Sequence, residues 1–129
     1  MVKKGISVLA IFIITITFGI FEITNVHKTL ITLEDLINDL YIKYELNHET
    51  INQYYTETGD VREYWDTSQK WLCFIFNHRD LGTITDSLNK LRAYTKNNDY
   101  DNAICELELL KEYSSNSYHI LGFNIHNIL

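Results

Sequence analysis

The chain has 129 residues, 46% of which are hydrophobic, with a formal net charge of −6, two cysteines and no proline. This length allows one small domain at most. The negative charge argues against nucleic acid as a partner, because an acidic surface repels phosphate backbones. The sequence contains no glycine-rich phosphate loop and no serine nucleophile elbow, so neither an enzyme nor a cofactor is predicted.

The first predicted element is an apolar segment at residues 5–23, uncharged as far as residue 21. As a helix it would be roughly 28 Å long, close to the hydrocarbon thickness of a bilayer. A cleaved signal peptide is the rival interpretation, but it requires small residues before the cleavage site. Only Thr17-Phe18-Gly19 comes near that pattern. The sequence therefore predicts an uncleaved transmembrane signal-anchor helix.

Two lysines set the expected orientation of this anchor. Lys3 and Lys4 directly precede the apolar segment, and positive charges tend to stay on the cytoplasmic side. Residues 1–4 should therefore be cytoplasmic and residues 24–129 should form an extracytoplasmic domain. The expected localisation is the cell membrane, with a single pass.

A second apolar pattern follows the anchor in alternating steps of four and three, as one face of a helix requires. Its members are Val26, Leu30, Leu33, Ile37, Leu40 and Tyr44. The anchor and this stalk are predicted to form one continuous helix that ends near residues 45–48, where Asn47 is expected to cap the next helix. The stalk also offers a face for homo-oligomerisation.

Three more helices are predicted along the rest of the chain. The second has an apolar stripe with Gly59 as its weak point, because glycine costs about 1 kcal/mol in a helix interior; we expect a bent but continuous helix. The stripe consists of Ile51, Tyr54, Val61, Trp65, Leu72 and Ile75. The third runs from Leu81 to about Lys96, and the fourth from Asp99 to Gly122, before a short apolar tail. The fold class is all-α, a small antiparallel bundle of about four helices in total.

Several motifs within this layout resemble those of a known family. They are the N-terminal anchor, Trp65 and Trp71, NHRDLGTI (77–84), LNKLRAY (88–94), NNDYDNA (97–103), ELELLK (106–111) and NIL (127–129). On these motifs the chain resembles the bacterial family of short membrane-anchored helical proteins called domain of unknown function DUF4363. The resemblance implies a helical fold over nearly all of the chain and implies no activity. Family members commonly show Trp after an acidic residue where this chain has Ile51 after Thr50, a difference that concerns packing.

One polar cluster is the sharpest candidate for a chemical site. Asn77, His78, Arg79 and Asp80 abruptly follow the apolar run WLCFIF. An imidazole beside a carboxylate suits a general base or a metal ligand. Alternatively, His78 and Arg79 interact with the exposed carbonyls at a helix C-terminus, and Asp80 helps to cap a helix that begins at Leu81. We expect these four residues to form a helix junction rather than a chemical site.

Histidines, cysteines and aromatic residues give weaker evidence for a functional site. No two histidines have the i, i+3 or i, i+4 spacing of helical metal ligands, so no metal is predicted. Cys73 and Cys105 are expected to be offset by roughly 9 Å along the helices, too far for a disulfide, and to pack as small apolar thiols. The aromatic residues around Trp65 are expected in the core rather than in a ligand cleft.

Two functional classes remain open. The first is a non-enzymatic accessory or scaffold protein whose helical domain binds another membrane or envelope protein. The second is a small-molecule-binding or sensing domain with a pocket between its helices. An exposed apolar stripe on the stalk would favour the first class, and an enclosed cavity with convergent polar groups would favour the second.

Overall fold

The computed structural model describes the backbone of residues 2–128 and the side chains of residues 2–116. It contains α1 (Val2–Leu46), α2 (Tyr55–Leu72), α3 (His78–Lys96) and α4 (Tyr100–Ile128), with one 3-10 turn (Ile51–Tyr54) before α2. No strand occurs in this described part of the chain. The prediction of an all-α bundle with a long N-terminal helix is therefore confirmed.

Helix α1 joins two different segments without a break. Its residues before Asn25 are exposed, apart from the half-exposed Gly19. From there on, the apolar stripe is buried: Val26, Leu30, Leu33, Ile37, Leu40 and Tyr44. The predicted continuous helix and its end near residue 46 are thus confirmed. Because α2 and α4 both pack against α1, the stalk is the first helix of the bundle.

The bundle is antiparallel between successive helices. The Lys43 ammonium lies 2.7 Å from the Glu57 carboxylate. This ion pair joins the C-terminal part of α1 to the first turn of α2. Hydrogen bonds to Asp39 and Glu57 raise the pKa of Lys43, so it stays charged at neutral pH. Further on, the Arg62 guanidinium donates to Asn89 at 2.9 Å between α2 and α3. Polar contacts of this kind fix the register between neighbouring helices.

A buried hydroxyl pair crosses the bundle near the C-terminal ends of α1 and α3. The Tyr44 and Thr95 side-chain oxygens lie 2.6 Å apart, and the Thr95 hydroxyl donates to the Leu91 carbonyl at 2.8 Å. Tyr44 is therefore the donor to Thr95. Burial raises the pKa of Tyr44 to about 12, although the hydrogen bond with Thr95 acts in the opposite direction. The contact ties α1 to α3, which lie diagonally across the bundle.

The connection between α1 and α2 differs from the prediction. Asn47 does not cap the next helix; its amide donates to the Lys43 carbonyl at 3.0 Å and to the Tyr54 hydroxyl at 2.8 Å. Thr50 holds the N-cap position of the 3-10 turn without a side-chain cap bond. The prediction for Asn47 was wrong because its side chain closes the C-terminus of α1 instead.

Helix α2 passes through Gly59 without interruption, as predicted. It ends at Leu72, however, so Ile75 is 41% exposed and does not belong to the buried stripe.

The predicted stop at Gly122 was also wrong, since α4 continues to Ile128. A lone glycine costs only about 1 kcal/mol in a helix interior, and its neighbours in a long helix offset that amount. The side chains of the predicted apolar tail lie outside the described residues.

The turn between α3 and α4 matches the predicted stop at residues 97–99. Asn98 has a positive φ of 56°, a conformation that asparagine tolerates better than most residues. Its side chain accepts from the Asn52 N–H at 3.3 Å and donates to the Glu49 carbonyl. Asp99 accepts from the Asn102 N–H at 3.4 Å and so caps α4. The hydrogen bonds of Asn98 thereby join the α3–α4 turn to the connection between α1 and α2.

Candidate membrane-facing site

The end of the apolar run WLCFIF is an exposed turn rather than a helix interior. Leu72 is fully buried and ends α2, whereas Phe74 is 87% exposed. Trp71, just before this turn, and Phe76, its last residue, are half-buried against the core. The sequence therefore places apolar side chains in solvent at the α2–α3 turn (residues 73–76).

The polar cluster that follows begins α3. Asn77 has extended backbone dihedrals (φ −64°, ψ 135°), and its side chain accepts from the Arg79 N–H at 2.9 Å. It is therefore the N-cap. The expectation that Asp80 caps a helix beginning at Leu81 was wrong, because α3 already begins at His78 and Asp80 lies in its first turn.

The other side chains of this cluster are exposed. His78 and Arg79 lie at the start of α3 rather than at the C-terminus of α2. The negative charge of Asp80 is favourable in the first turn, because the N-terminus of a helix carries a partial positive charge. Asn77, His78, Arg79 and Asp80 thus adjoin one another at the junction of α2 and α3.

We expect Asn77→Ala to lower the free energy of unfolding by about 1 kcal/mol, since the substitution removes the N-cap acceptor. Chemical unfolding of the full-length protein in detergent micelles, followed by circular dichroism, measures this loss. Asn77→Asp is the matched control and should be nearly neutral, because aspartate caps as well. A larger loss for Asp80→Ala than for Asn77→Ala would assign the cap to Asp80.

The α2–α3 turn lies at the end of the bundle where the exposed segment of α1 begins. Starting from the Lys43–Glu57 pair, an equal number of residues along each antiparallel helix brings Leu72 level with Lys28. An open groove of about 470 Å³ shows the same register, since Phe18, Phe21, Lys28 and Trp71 all line it. Trp71 therefore shares this groove with the last turns of the exposed apolar segment.

The exposed segment of α1 meets the requirements for a membrane span in length and composition. Its best 18-residue window has a mean hydropathy of 2.4, and none of that window is buried within the described part of the chain. A signal sequence near an N-terminus meets the same requirements. Lys3 and Lys4 are exposed at the beginning of this segment.

The remaining candidate groups behave as packing or surface residues. Within the described side chains, no three His, Cys, Asp or Glu residues come together as a metal site. Cys73 and Cys105 are free, as predicted, but the prediction that Cys105 packs as an apolar group was wrong because its side chain is exposed on α4. Trp65 is buried and donates its indole N–H to Thr85 at 2.9 Å, which confirms its place in the core.

Sequence reasoning missed the exposed turn because a run of apolar residues is normally assigned to a core. One signal was nevertheless present. The run contains Trp71, Phe74 and Phe76 and is flanked by Lys70 and Arg79, and aromatic residues bordered by long cations are typical of a membrane interface.

Comparison with known proteins identifies the family but no function. No curated protein and no solved structure matches the chain. One family model matches residues 20–128, a range that begins in the exposed apolar segment and includes the bundle contacts of all four helices. Because this match covers most of the sequence, the chain belongs to the family described as Domain of unknown function (DUF4363).

Proposed function

We propose that the protein is a non-enzymatic accessory or scaffold protein, anchored in the cell membrane, whose extracytoplasmic helical domain binds another membrane or envelope protein. The observation that carries this proposal is the continuity of α1. The same helix supplies the exposed apolar segment and six buried residues of the bundle core.

This continuity favours a role that depends on position. A helix that passes from a bilayer into a folded core without a linker holds the domain at a fixed height above the membrane. A flexible linker would instead let the domain sample a wide volume. A domain held at one height meets proteins in the same membrane at a high effective concentration, so that moderate affinity suffices for binding.

The orientation in this proposal rests on charge. Lys3 and Lys4 favour a cytoplasmic N-terminus, which leaves the acidic bundle outside. The buried stripe of α1 is covered by α2 and α4, so it does not supply the binding face. Exposed apolar residues of the bundle, including Ile42 and Leu46 on α1 and Leu109 on α4, offer contacts for a partner or for a second copy of the chain.

The sensing alternative receives less support from the groove beside Trp71. Phe18 and Phe21 form part of its wall, and both belong to the proposed span. A groove with such a wall opens toward lipid, whereas a pocket for a water-soluble ligand encloses most of the ligand surface.

Photo-cross-linking in intact cells tests the proposed role. A photoreactive amino acid at Leu46, which is 77% exposed at the distal end of α1, is expected to yield a discrete adduct with an envelope or membrane protein. The same substitution at Ile42 and Leu109 maps the binding face, and the buried Leu40 is the control that should give no adduct between proteins. Absence of adducts at all three exposed positions would refute the scaffold role. An adduct with a cytoplasmic protein would show that the domain faces the cytoplasm, the reverse of the proposed orientation.

A further inference from the structure

We propose that the α2–α3 turn is a second membrane contact, in which Trp71, Phe74 and Ile75 enter the headgroup layer beside the point where α1 leaves the bilayer. The partner is the lipid surface of the membrane that holds the anchor. This inference rests on the proposed anchoring of α1 and adds a site that the anchor alone does not require.

The turn presents its apolar side chains from a fixed backbone. The Ile75 and Phe76 N–H groups both donate to the Leu72 carbonyl at 2.9 Å, and the Phe74 N–H donates to the Trp71 carbonyl at 3.2 Å. Leu72 is fully buried, so the bundle core holds the turn at its base. The exposure of Phe74 and Ile75 is therefore a property of the fold, and water is an unfavourable environment for both side chains.

The height of the turn matches the headgroup layer. Leu72 is level with Lys28 on α1, and the proposed span ends at Ile23, so the turn faces the roughly 8 Å of helix between them. A bilayer is about 40–45 Å thick with its headgroups and about 30 Å thick without them. Each headgroup layer is then roughly 5–8 Å deep, the interval that the turn occupies.

Trp71 connects the turn to the proposed span. Its side chain lines the same groove as Phe18 and Phe21, at the outer end of the apolar segment. Tryptophan is enriched at membrane–water boundaries because its ring is apolar and its indole N–H is polar. Lipid that surrounds the outer end of α1 therefore also contacts Trp71.

Two cations border the apolar turn. Lys70 precedes Trp71 by one residue, and Arg79 follows Asn77 in the first turn of α3; both side chains are exposed. Long cationic side chains at this depth extend toward lipid phosphates while their methylene groups cover apolar surface. This arrangement suits a lipid interface better than a protein groove, which would have to leave both charges solvated or pair them.

The chain offers its own probe, because Trp65 and Trp71 are its only tryptophans. The full-length protein is placed in phosphatidylcholine vesicles that carry bromine near the top of the acyl chains. Trp65→Phe leaves Trp71 as the emitter, and bromination is expected to lower its emission at least about twofold, as an interfacial ring requires. Trp71→Phe leaves the buried Trp65, which should be nearly unaffected. Equal, weak quenching of the two variants would overturn the proposed contact.

A second measurement leaves both tryptophans in place. Cys105→Ser leaves only Cys73, in the turn, and Cys73→Ser leaves only Cys105, exposed on α4. A polarity-sensitive fluorophore on Cys73 should shift to the blue when the protein enters vesicles, whereas the same label on Cys105 should not. If a protein covers the turn in cells, the vesicles lack that protein and the Cys73 label stays in water, an outcome that overturns the lipid contact.

Vesicle flotation separates this inference from the anchoring on which it rests. If the protein floats with the vesicles and Trp71 is not quenched, the anchor stands and the turn does not touch lipid. If the protein does not float, both the anchoring and the second contact are refuted. Flotation together with quenching of Trp71 supports both.

Discussion

Replacement of Trp65 by alanine is expected to lower the free energy of unfolding by about 3–5 kcal/mol, the usual loss when a large buried aromatic side chain is truncated. Trp65 is fully buried, and the substitution leaves a cavity between α2 and α3. It also removes the donor to Thr85, although Thr85 keeps contacts with Gln69 and the Leu81 carbonyl. Urea unfolding of the full-length protein in detergent micelles, followed by circular dichroism, measures the loss.

Phe74→Ala is the matched control, since it also truncates an aromatic side chain to alanine but does so in the exposed turn. Because Phe74 makes little contact with the core, its loss should change the free energy of unfolding by no more than about 0.5 kcal/mol in detergent. A loss as large as that of Trp65→Ala would mean that the turn is part of the core.

The double substitution Ile13→Arg with Ile14→Arg is expected to remove the protein from the membrane fraction. Both isoleucines lie near the middle of residues 5–23 and are exposed. An arginine at the centre of a spanning helix costs about 2.5–3.5 kcal/mol on insertion scales, and two such costs outweigh the marginal advantage of one short span. Extraction of membranes with alkaline carbonate, followed by immunoblotting, measures the retained fraction.

Ile42→Arg is the control for this experiment. Ile42 belongs to the same helix and is 57% exposed, but it lies in the bundle beyond the proposed span. Its replacement should leave the protein in the carbonate-resistant fraction, since the new charge is solvated. If the double variant is retained as well as Ile42→Arg, the apolar segment is not the membrane anchor.

The predictable part of the fold is the part set by side-chain periodicity. The apolar stripe of α1 follows a helical repeat, and each of its six members is buried. Trp65 and Leu72 fit the predicted stripe of α2 for the same reason, because a helix of this length must bury one face to be stable. Such periodicity can be recognised from the order of residues within one segment, without knowledge of the tertiary structure.

The helix ends were less predictable because several polar residues compete for each cap. Asn77, rather than Asp80, caps α3, since Asn77 adopts the extended backbone that a cap requires. Asn47 instead closes α1, where the Tyr54 hydroxyl comes within reach only after the chain has folded back. Both outcomes depend on contacts between segments that a local pattern does not contain.

The candidate site was the least predictable feature. The residues around Phe74 were visible as an apolar run, but their exposure follows from the end of α2 at Leu72. The position of Trp71 in one groove with Phe18 and Phe21 follows from the register between α1 and α2. The proposed membrane contact of this turn therefore becomes apparent only when the pairing of these two helices is known.

The unbroken course of α1 has a mechanical consequence. From the proposed membrane surface to Leu46 the helix extends about 35 Å, so the bundle would act as a lever arm on the proposed anchor. Membrane helices change their tilt when bilayer thickness changes. A tilt of about 20° would move the distal connections sideways by about 12 Å. Local bilayer thickness would in this way set the lateral reach of the domain toward its neighbours.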